Sequence, residues 1–116
     1  SIEVKRNVKF MHKELARHDI AITGGGMTLL ELSKLGIPSI IICTEKFETE
    51  TASLLSKSGF GINLGYYEKL SNQKIKNAIS RLIQDYKLRT KMNNIGPKIV
   101  DGNGTKRVCK LIKEWN

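Results

Sequence analysis

The chain has 116 residues, enough for one domain of ordinary size and too few for two. With 40% apolar and 27% charged residues its composition is globular, which excludes a disordered tail, and its longest apolar run, Ile37 to Cys43 broken by Pro38 and Ser39, falls far short of a membrane span. The net charge of +9 raises the question of a nucleic-acid partner, yet the first 58 residues carry 8 Lys/Arg against 7 Asp/Glu and the last 58 carry 12 against 4. The excess falls on helical patterns such as Lys74, Lys76, Arg81 and Lys87, interleaved with Ile75, Ile79, Leu82 and Ile83. That is the pattern of an amphipathic helix with a solvated basic face, and no stacking pattern of aromatics accompanies it. Nucleic acid is therefore not an expected partner, although a basic nucleic-acid-binding module stays as the rival class. Cys43 and Cys109 lie far apart without CxxC or Cys/His spacing, which excludes a metal or disulfide framework and makes a reducing cytoplasm the expected compartment. Ser1-Ile2-Glu3-Val4 has no signal-segment pattern and reads as cut from something longer.

In chain order, Ile2 to Val8 alternates apolar and charged residues and predicts a strand. Phe10, Met11, Leu15 and Ala16 recur at helical spacing through about Arg17, and Asp19 to Thr23 is a short apolar strand. Met27 to Leu35 reads as a helix with Leu29, Leu30, Leu32 and Leu35 as its apolar stripe, ended by Gly36 as C-cap and by Pro38. Ser39 to Cys43 is a buried-type strand, Phe47 to Lys57 a helix closed by Gly59, and Gly61 to Leu64 a short last strand. Ser71 caps a helix to about Tyr86, a further turn or two covers Leu88 to Ile95, and Thr105 to Trp115 closes the chain as an amphipathic helix. Strands and helices alternate with short connections, so the expected fold is α/β: a single Rossmann-like domain over residues 1–116 with a parallel sheet of about four strands.

The chemistry centres on Gly24-Gly25-Gly26, at the carboxyl end of the Asp19 to Thr23 strand, where ligands of such sheets bind. The loop leads into a helix whose first amides lack partners and whose dipole favours an anion. Glycines there either let the chain turn sharply or let backbone amides approach a phosphate. Thr28 could add a hydroxyl, and Glu31 could accept from a vicinal diol such as a ribose 2′/3′ pair. Equally, Thr28-Leu29-Leu30-Glu31 matches a capping box, in which both side chains satisfy helix-terminal amides. The triplet is neither GxGxxG nor a lysine-bearing P-loop.

The segment DIAITGGGMTLLELSKLGIPSIIIC, residues 19–43, resembles the donor-nucleotide segment in the C-terminal domain of GT-B enzymes. By pattern it resembles the peptidoglycan N-acetylglucosaminyltransferases and the UDP-sugar hydrolases of pseudaminic-acid synthesis with their spore-coat-polysaccharide relatives. The tail DGNGTKRV, residues 101–108, and SKSGFGINLG, residues 56–65, resemble the hydrolase group. The resemblance implies a UDP-sugar ligand, with the diphosphate on the amides around Gly24, Gly25, Gly26, Met27 and Thr28, the ribose on Glu31 and the uracil on backbone groups near Val8. Phe47 and Glu48 stand where these families place a polar pair, often Asn-Gln or Gln-Gln, that touches the sugar. No metal and no cofactor is implied, since loop amides and the helix dipole would serve the diphosphate. The resemblance also implies an N-terminal domain carrying the acceptor site and most catalytic groups, and two further strands ahead of the first, so the chain reads as an excised donor-binding part with no catalytic residue of its own.

Other residues read as structural. His12 and His18 have no Ser, Cys or carboxylate partner implied by spacing and read as surface histidines. Cys43 reads as a small buried hydrophobe and Cys109 as half buried in the last helix. Glu45, Glu48 and Glu50 suit a helix start through the dipole alone, and Trp115 reads as a packing anchor with part of its face unpaired. A third class is a pure folding unit, in which the glycines are only a turn.

Overall fold

In the computed structural model, which describes residues 1–115, three strands run parallel and pair in the order in which they occur: β1 (Ala21–Thr23), β2 (Ser39–Cys43) and β3 (Ile62–Tyr66). Parallel neighbours need long crossovers, and the helices α2 (Met27–Leu35) and α3 (Glu48–Lys57) supply them. A single turn and a half, α1 (Met11–Leu15), precedes β1; a 3₁₀ turn (Tyr67–Lys69), α4 (Asn72–Gln84), α5 (Tyr86–Ile99) and α6 (Gly104–Glu114) follow β3. The α/β architecture with a parallel sheet is the one expected from the alternating pattern.

The central strand β2 is covered on both faces, with Ser39, Ile40, Ile41 and Cys43 buried, which explains its unbroken isoleucine run. Ala21 pairs with Ser39 and Ile40 with Ile62. The last strand runs further than expected, through Gly65, because Gly65 adopts φ 82° and its N–H donates to Asn63 Oδ1 at 2.9 Å, carrying the strand past an irregular register at Cys43–Tyr66.

The second layer is built on α2. Leu29 and Leu32 enter the core with Phe60, Leu82 and Met92, the last contributed by α5, which packs along α2. There the buried Ser33 Oγ donates to Gly96 O at 2.9 Å, and Asn93 Nδ2 donates to Gly36 O at 2.9 Å. Gly36 has φ 71°, the left-handed C-cap that the sequence predicts. The helix α5 passes through Pro97 to Ile99, beyond the expected end at Ile95. Pro97 removes the N–H that the Asn93 carbonyl would otherwise receive, and Gly36 packs against that carbonyl: a β-carbon there would stand 2.6 Å from it.

Two expectations fail at the chain's ends. Ile2 to Val8 forms no strand, so the sheet has three strands rather than four. A strand needs a neighbour to take its backbone hydrogen bonds. Here Ile2 and Val4 are 93% and 72% exposed, Asn7 turns the chain at φ 51°, and Lys5 Nζ bonds Glu14 Oε1 at 2.8 Å instead. At the other end α6 forms as expected but buries none of its side chains: Cys109 is exposed, not half buried, and Trp115 is 88% exposed, not an anchor within this domain. Asp101 holds the start of α6, accepting from Asn103 N at 2.9 Å and pairing with the Arg107 guanidinium. Among the described residues, no helix is long and apolar enough to cross a membrane.

Candidate functional site

The glycine triplet follows β1 directly at the carboxyl edge of the sheet, and Met27 begins α2. None of Gly24, Gly25 and Gly26 adopts a positive φ, so a sharp turn is not what requires glycine there. Packing requires one of them. A β-carbon on Gly25 would lie 2.8 Å from both Cβ and O of Glu48 and 3.2 Å from Cys43 Sγ. Gly26 faces only the end of the Glu48 side chain, with its β-carbon position 3.2 Å from Oε2, while that of Gly24 lies at ordinary contact distances, 3.6 Å from both Glu48 carboxylate oxygens and 3.8 Å from Ile42 O. Neither position is closed to a side chain by backbone packing, in contrast to Gly25.

The helix that follows begins uncapped. Gly26 is the N-cap, and no side chain bonds the first amides. The capping-box reading of Thr28 and Glu31 is therefore overturned: the helix starts one residue before Thr28 with Gly26 as its N-cap, which places Glu31 too deep in it to reach the cap. Thr28 is exposed beside Met27, and Glu31, half buried, lines a hollow of about 350 Å³ with His12, Met27, Leu30, Lys34 and Val100. Uncapped amides with the positive end of a helix dipole face one side of this edge, and a carboxylate lies one turn along. Val8 is half buried just before α1 and does not line that hollow.

The side chain that does fold back on helix-start amides is Glu48. Its Oε1 accepts from Thr44 N at 3.0 Å, Glu45 N at 3.3 Å and Thr44 Oγ1 at 3.3 Å. Burial acts to raise its pKa, but bonds from the Thr44 and Glu45 amides, the Gly25 backbone and the Thr44 hydroxyl outweigh it and hold the carboxyl below its ordinary value. The four-residue spacing from Thr44 to Glu48 is one longer than the familiar box, so the pattern does not announce itself in the sequence. Phe47, the N-cap of α3, is 80% exposed at the rim. Cys43 is buried beside the loop; burial first, and the Glu48 charge second, push its thiol up, so it is a packing group and not a nucleophile.

The remaining candidates fall elsewhere. His12 and His18 are both exposed, and His18 does have a carboxylate partner, Glu14 Oε1 at 3.3 Å one turn earlier, contrary to expectation. Glu14 is held below its ordinary pKa, foremost by Lys5 and then by His18. A hollow of about 660 Å³ lies at the amino ends of the strands beside Asp19 and Pro38, away from the glycine loop. Its Arg89 is committed to the carbonyls of Leu82 and Ile83, each at 2.6 Å, which leaves that guanidinium a structural part of the α4–α5 corner. Among the described residues no three His, Cys, Asp or Glu side chains gather as a metal-binding group.

The chain is 29% identical over 96 residues to the spore coat polysaccharide biosynthesis protein SpsG of Bacillus subtilis, an alignment covering 83% of this chain and 28% of that protein. It is 28% identical over 126 aligned positions to the UDP-N-acetylglucosamine--N-acetylmuramyl-(pentapeptide) pyrophosphoryl-undecaprenol N-acetylglucosamine transferase of Caldicellulosiruptor saccharolyticus, covering 99% of this chain and 34% of that enzyme. The chain thus spans about a third of the length of these relatives. The glycosyltransferase family 28 C-terminal domain matches residues 2–107. That match takes in the sheet, the glycine loop and the start of α6, and the chain belongs to the glycosyltransferase family 28 C-terminal domain family.

Proposed function

We propose that this domain binds the nucleotide-diphosphate portion of a UDP-sugar on behalf of a larger enzyme. The observation that carries the reading is the three-glycine loop at the carboxyl end of β1, free of positive φ, opening into an uncapped helix beside a half-buried Glu31. The amides of Gly24, Gly25, Gly26, Met27 and Thr28 hold the diphosphate, helped by the dipole of α2. Glu31 accepts from the ribose hydroxyls, and backbone groups near Val8 meet the uracil. Phe47 and Glu48 stand at the rim on the side of the sugar. UDP is supported by the printed name of the transferase relative, and polysaccharide synthesis by that of the spore-coat relative.

For the parent enzyme we favour hydrolysis of a UDP-activated sugar in surface-polysaccharide or pseudaminic-acid-type synthesis. Water attacks the anomeric carbon, the bond to the diphosphate oxygen breaks, and UDP leaves with its charge steadied by this domain. The support is the sequence DGNGTKRV, residues 101–108, which resembles the ending of the hydrolase group. The second reading is glycosyl transfer to an alcohol acceptor, favoured by the transferase relative. In either case the partner is the N-terminal domain of the parent, the catalytic residues lie there, and the compartment is the cytoplasm.

The test is an amide-resolved NMR titration of the chain with UDP at moderate salt, repeated with Glu31→Ala. The expected result is shifts centred on residues 24–31, with affinity reduced about tenfold by the substitution, the loss of one charge-assisted hydrogen-bond set. UDP binding that ignores Glu31→Ala and vanishes with salt would instead mark non-specific electrostatics and refute the donor reading.

A further inference from the structure

We propose that Glu48 is an internal anion seated in the glycine cradle, which the diphosphate of a donor must displace before it can bind. The inference rests on the reading of the glycine loop as a diphosphate site and adds a control to it. Glu48 opens α3 at the carboxyl end of β2, directly across from the loop. Both of its carboxylate oxygens lie 3.6 Å from the β-carbon position of Gly24, and Oε2 lies 3.2 Å from that of Gly26. The carboxylate thus spans the space that glycine side chains leave open. The Gly25 backbone also faces it.

An ionised carboxylate offers backbone N–H groups what a phosphate offers: acceptor oxygens only, with a negative charge. Two such groups cannot share the same cradle without strong like-charge repulsion. Glu48 is held in place by three donors on Oε1, the Thr44 and Glu45 amides and the Thr44 hydroxyl, while Oε2 points into the loop. A donor diphosphate therefore enters by driving Glu48 off its perch. That movement uncovers the Thr44 and Glu45 donors at the mouth of the site, available to the group beyond the diphosphate. The bland alternative is that Glu48 only caps the Thr44–Phe47 turn and has no bearing on ligand. A glutamine at 48 separates the two, because it retains an Oε1 acceptor for the turn and removes the charge.

The experiment is calorimetric titration of the 116-residue chain, as wild type, Glu48→Gln and Glu45→Gln, with UDP and with uridine at one pH and one salt concentration. Amide dispersion in an NMR spectrum of each variant checks that it is folded. Displacement predicts that Glu48→Gln tightens UDP by about tenfold, roughly 1.4 kcal/mol, with uridine unchanged. Glu45→Gln removes the same charge from an exposed side chain nearby and is expected to change UDP affinity less than about twofold. In wild type the Thr44 and Glu45 amides shift on UDP addition. Equal or weaker UDP binding by Glu48→Gln overturns the displacement and leaves the donor reading standing. An equal gain from Glu45→Gln also overturns it, since the effect would then be general charge. UDP binding to none of the three proteins overturns the donor reading and the displacement together.

Discussion

Replacing the glycines of the loop one at a time separates what the fold needs from what a ligand needs. In Gly25→Ala the new methyl stands 2.8 Å from Glu48 Cβ and 2.8 Å from the Glu48 carbonyl oxygen, with Cys43 Sγ at 3.2 Å. The first two belong to the start of α3 and cannot rotate away, so relief means moving the helix off the loop. Overpacking of this kind costs about 1–3 kcal/mol, offset by the roughly 0.4–1 kcal/mol that Gly→Ala gains by restricting the unfolded chain where φ is unstrained. A net loss of about 0.5–2 kcal/mol follows, which lowers Tm by about 2–8 °C in a domain of this size. Gly24→Ala meets the flexible carboxylate of Glu48 at 3.6 Å and Ile42 O at 3.8 Å, both ordinary contacts, and its stability is expected within about 0.5 kcal/mol of wild type. Thermal and urea unfolding followed by far-UV circular dichroism measures both. The same pair then binds UDP differently: Gly24→Ala, though folded, places a methyl where the diphosphate must approach and weakens it. Equal stability of the two variants would refute the packing role assigned to Gly25, and unaltered UDP affinity in Gly24→Ala would refute the close approach.

Three further expectations follow from the rest of the structure. Ser33→Ala removes the buried hydroxyl that bonds Gly96 O and should cost about 0.5–1.5 kcal/mol in urea unfolding, since the α2–α5 contact loses one hydrogen bond while Gly96 O keeps the Val100 amide; a change below about 0.3 kcal/mol would contradict that accounting. Asp101 is lowered from 3.8 to about 2, foremost by its bond to Arg107 and then by the Asn103 amide. A depressed carboxylate contributes stability that is present above its unfolded value and lost as pH falls through its folded one, so wild type should lose urea midpoint between about pH 4 and pH 2 more steeply than Asp101→Asn; parallel profiles would show that the pairing does not persist in solution. Hydrogen exchange should find the amides of α6, a helix without a buried residue, opening well before those of α2; equal protection would mean that α6 is covered in solution.

Much of this was legible because local signals and tertiary structure agree. Met27–Leu35 and Ser39–Cys43 have the bounds that their periodicity and isoleucine run predict, and Gly36 is left-handed where a C-cap belongs. The failures share one cause: periodicity reports that a face is apolar and says nothing of what covers it. Ile2–Val8 has strand alternation and finds no neighbour to complete a ladder; α6 has the apolar stripe of a packed helix, and Val108, Leu111, Ile112 and Trp115 stay exposed. The turn or two expected over Leu88–Ile95 is a longer helix through Pro97, and the close approach of Gly36 to Asn93 O beside that proline is distant in sequence. At the site, the glycine loop was conspicuous while its occupant was not. Glu48 reads in one dimension as an acidic residue at a helix start, and only the parallel pairing of β1 with β2 sets the two loops side by side and brings its carboxylate over Gly24 and Gly26.

The order of the strands has a consequence for how the chain acquires its shape. Each strand pairs with the next one synthesised, Ala21 with Ser39 and then Ile40 with Ile62, so the sheet grows by closing one modest loop after another. The seam between α2 and α5 is different: Ser33 and Gly96 lie 63 positions apart, and that bond waits until the last third of the chain exists. A nascent chain leaving the ribosome can therefore complete the glycine loop and its Glu48 occupant while the surface of α2 that meets α5 is still bare. Stalling synthesis just after β3 and again after α5, with protease sensitivity of α2 as the readout, would time these two events against each other.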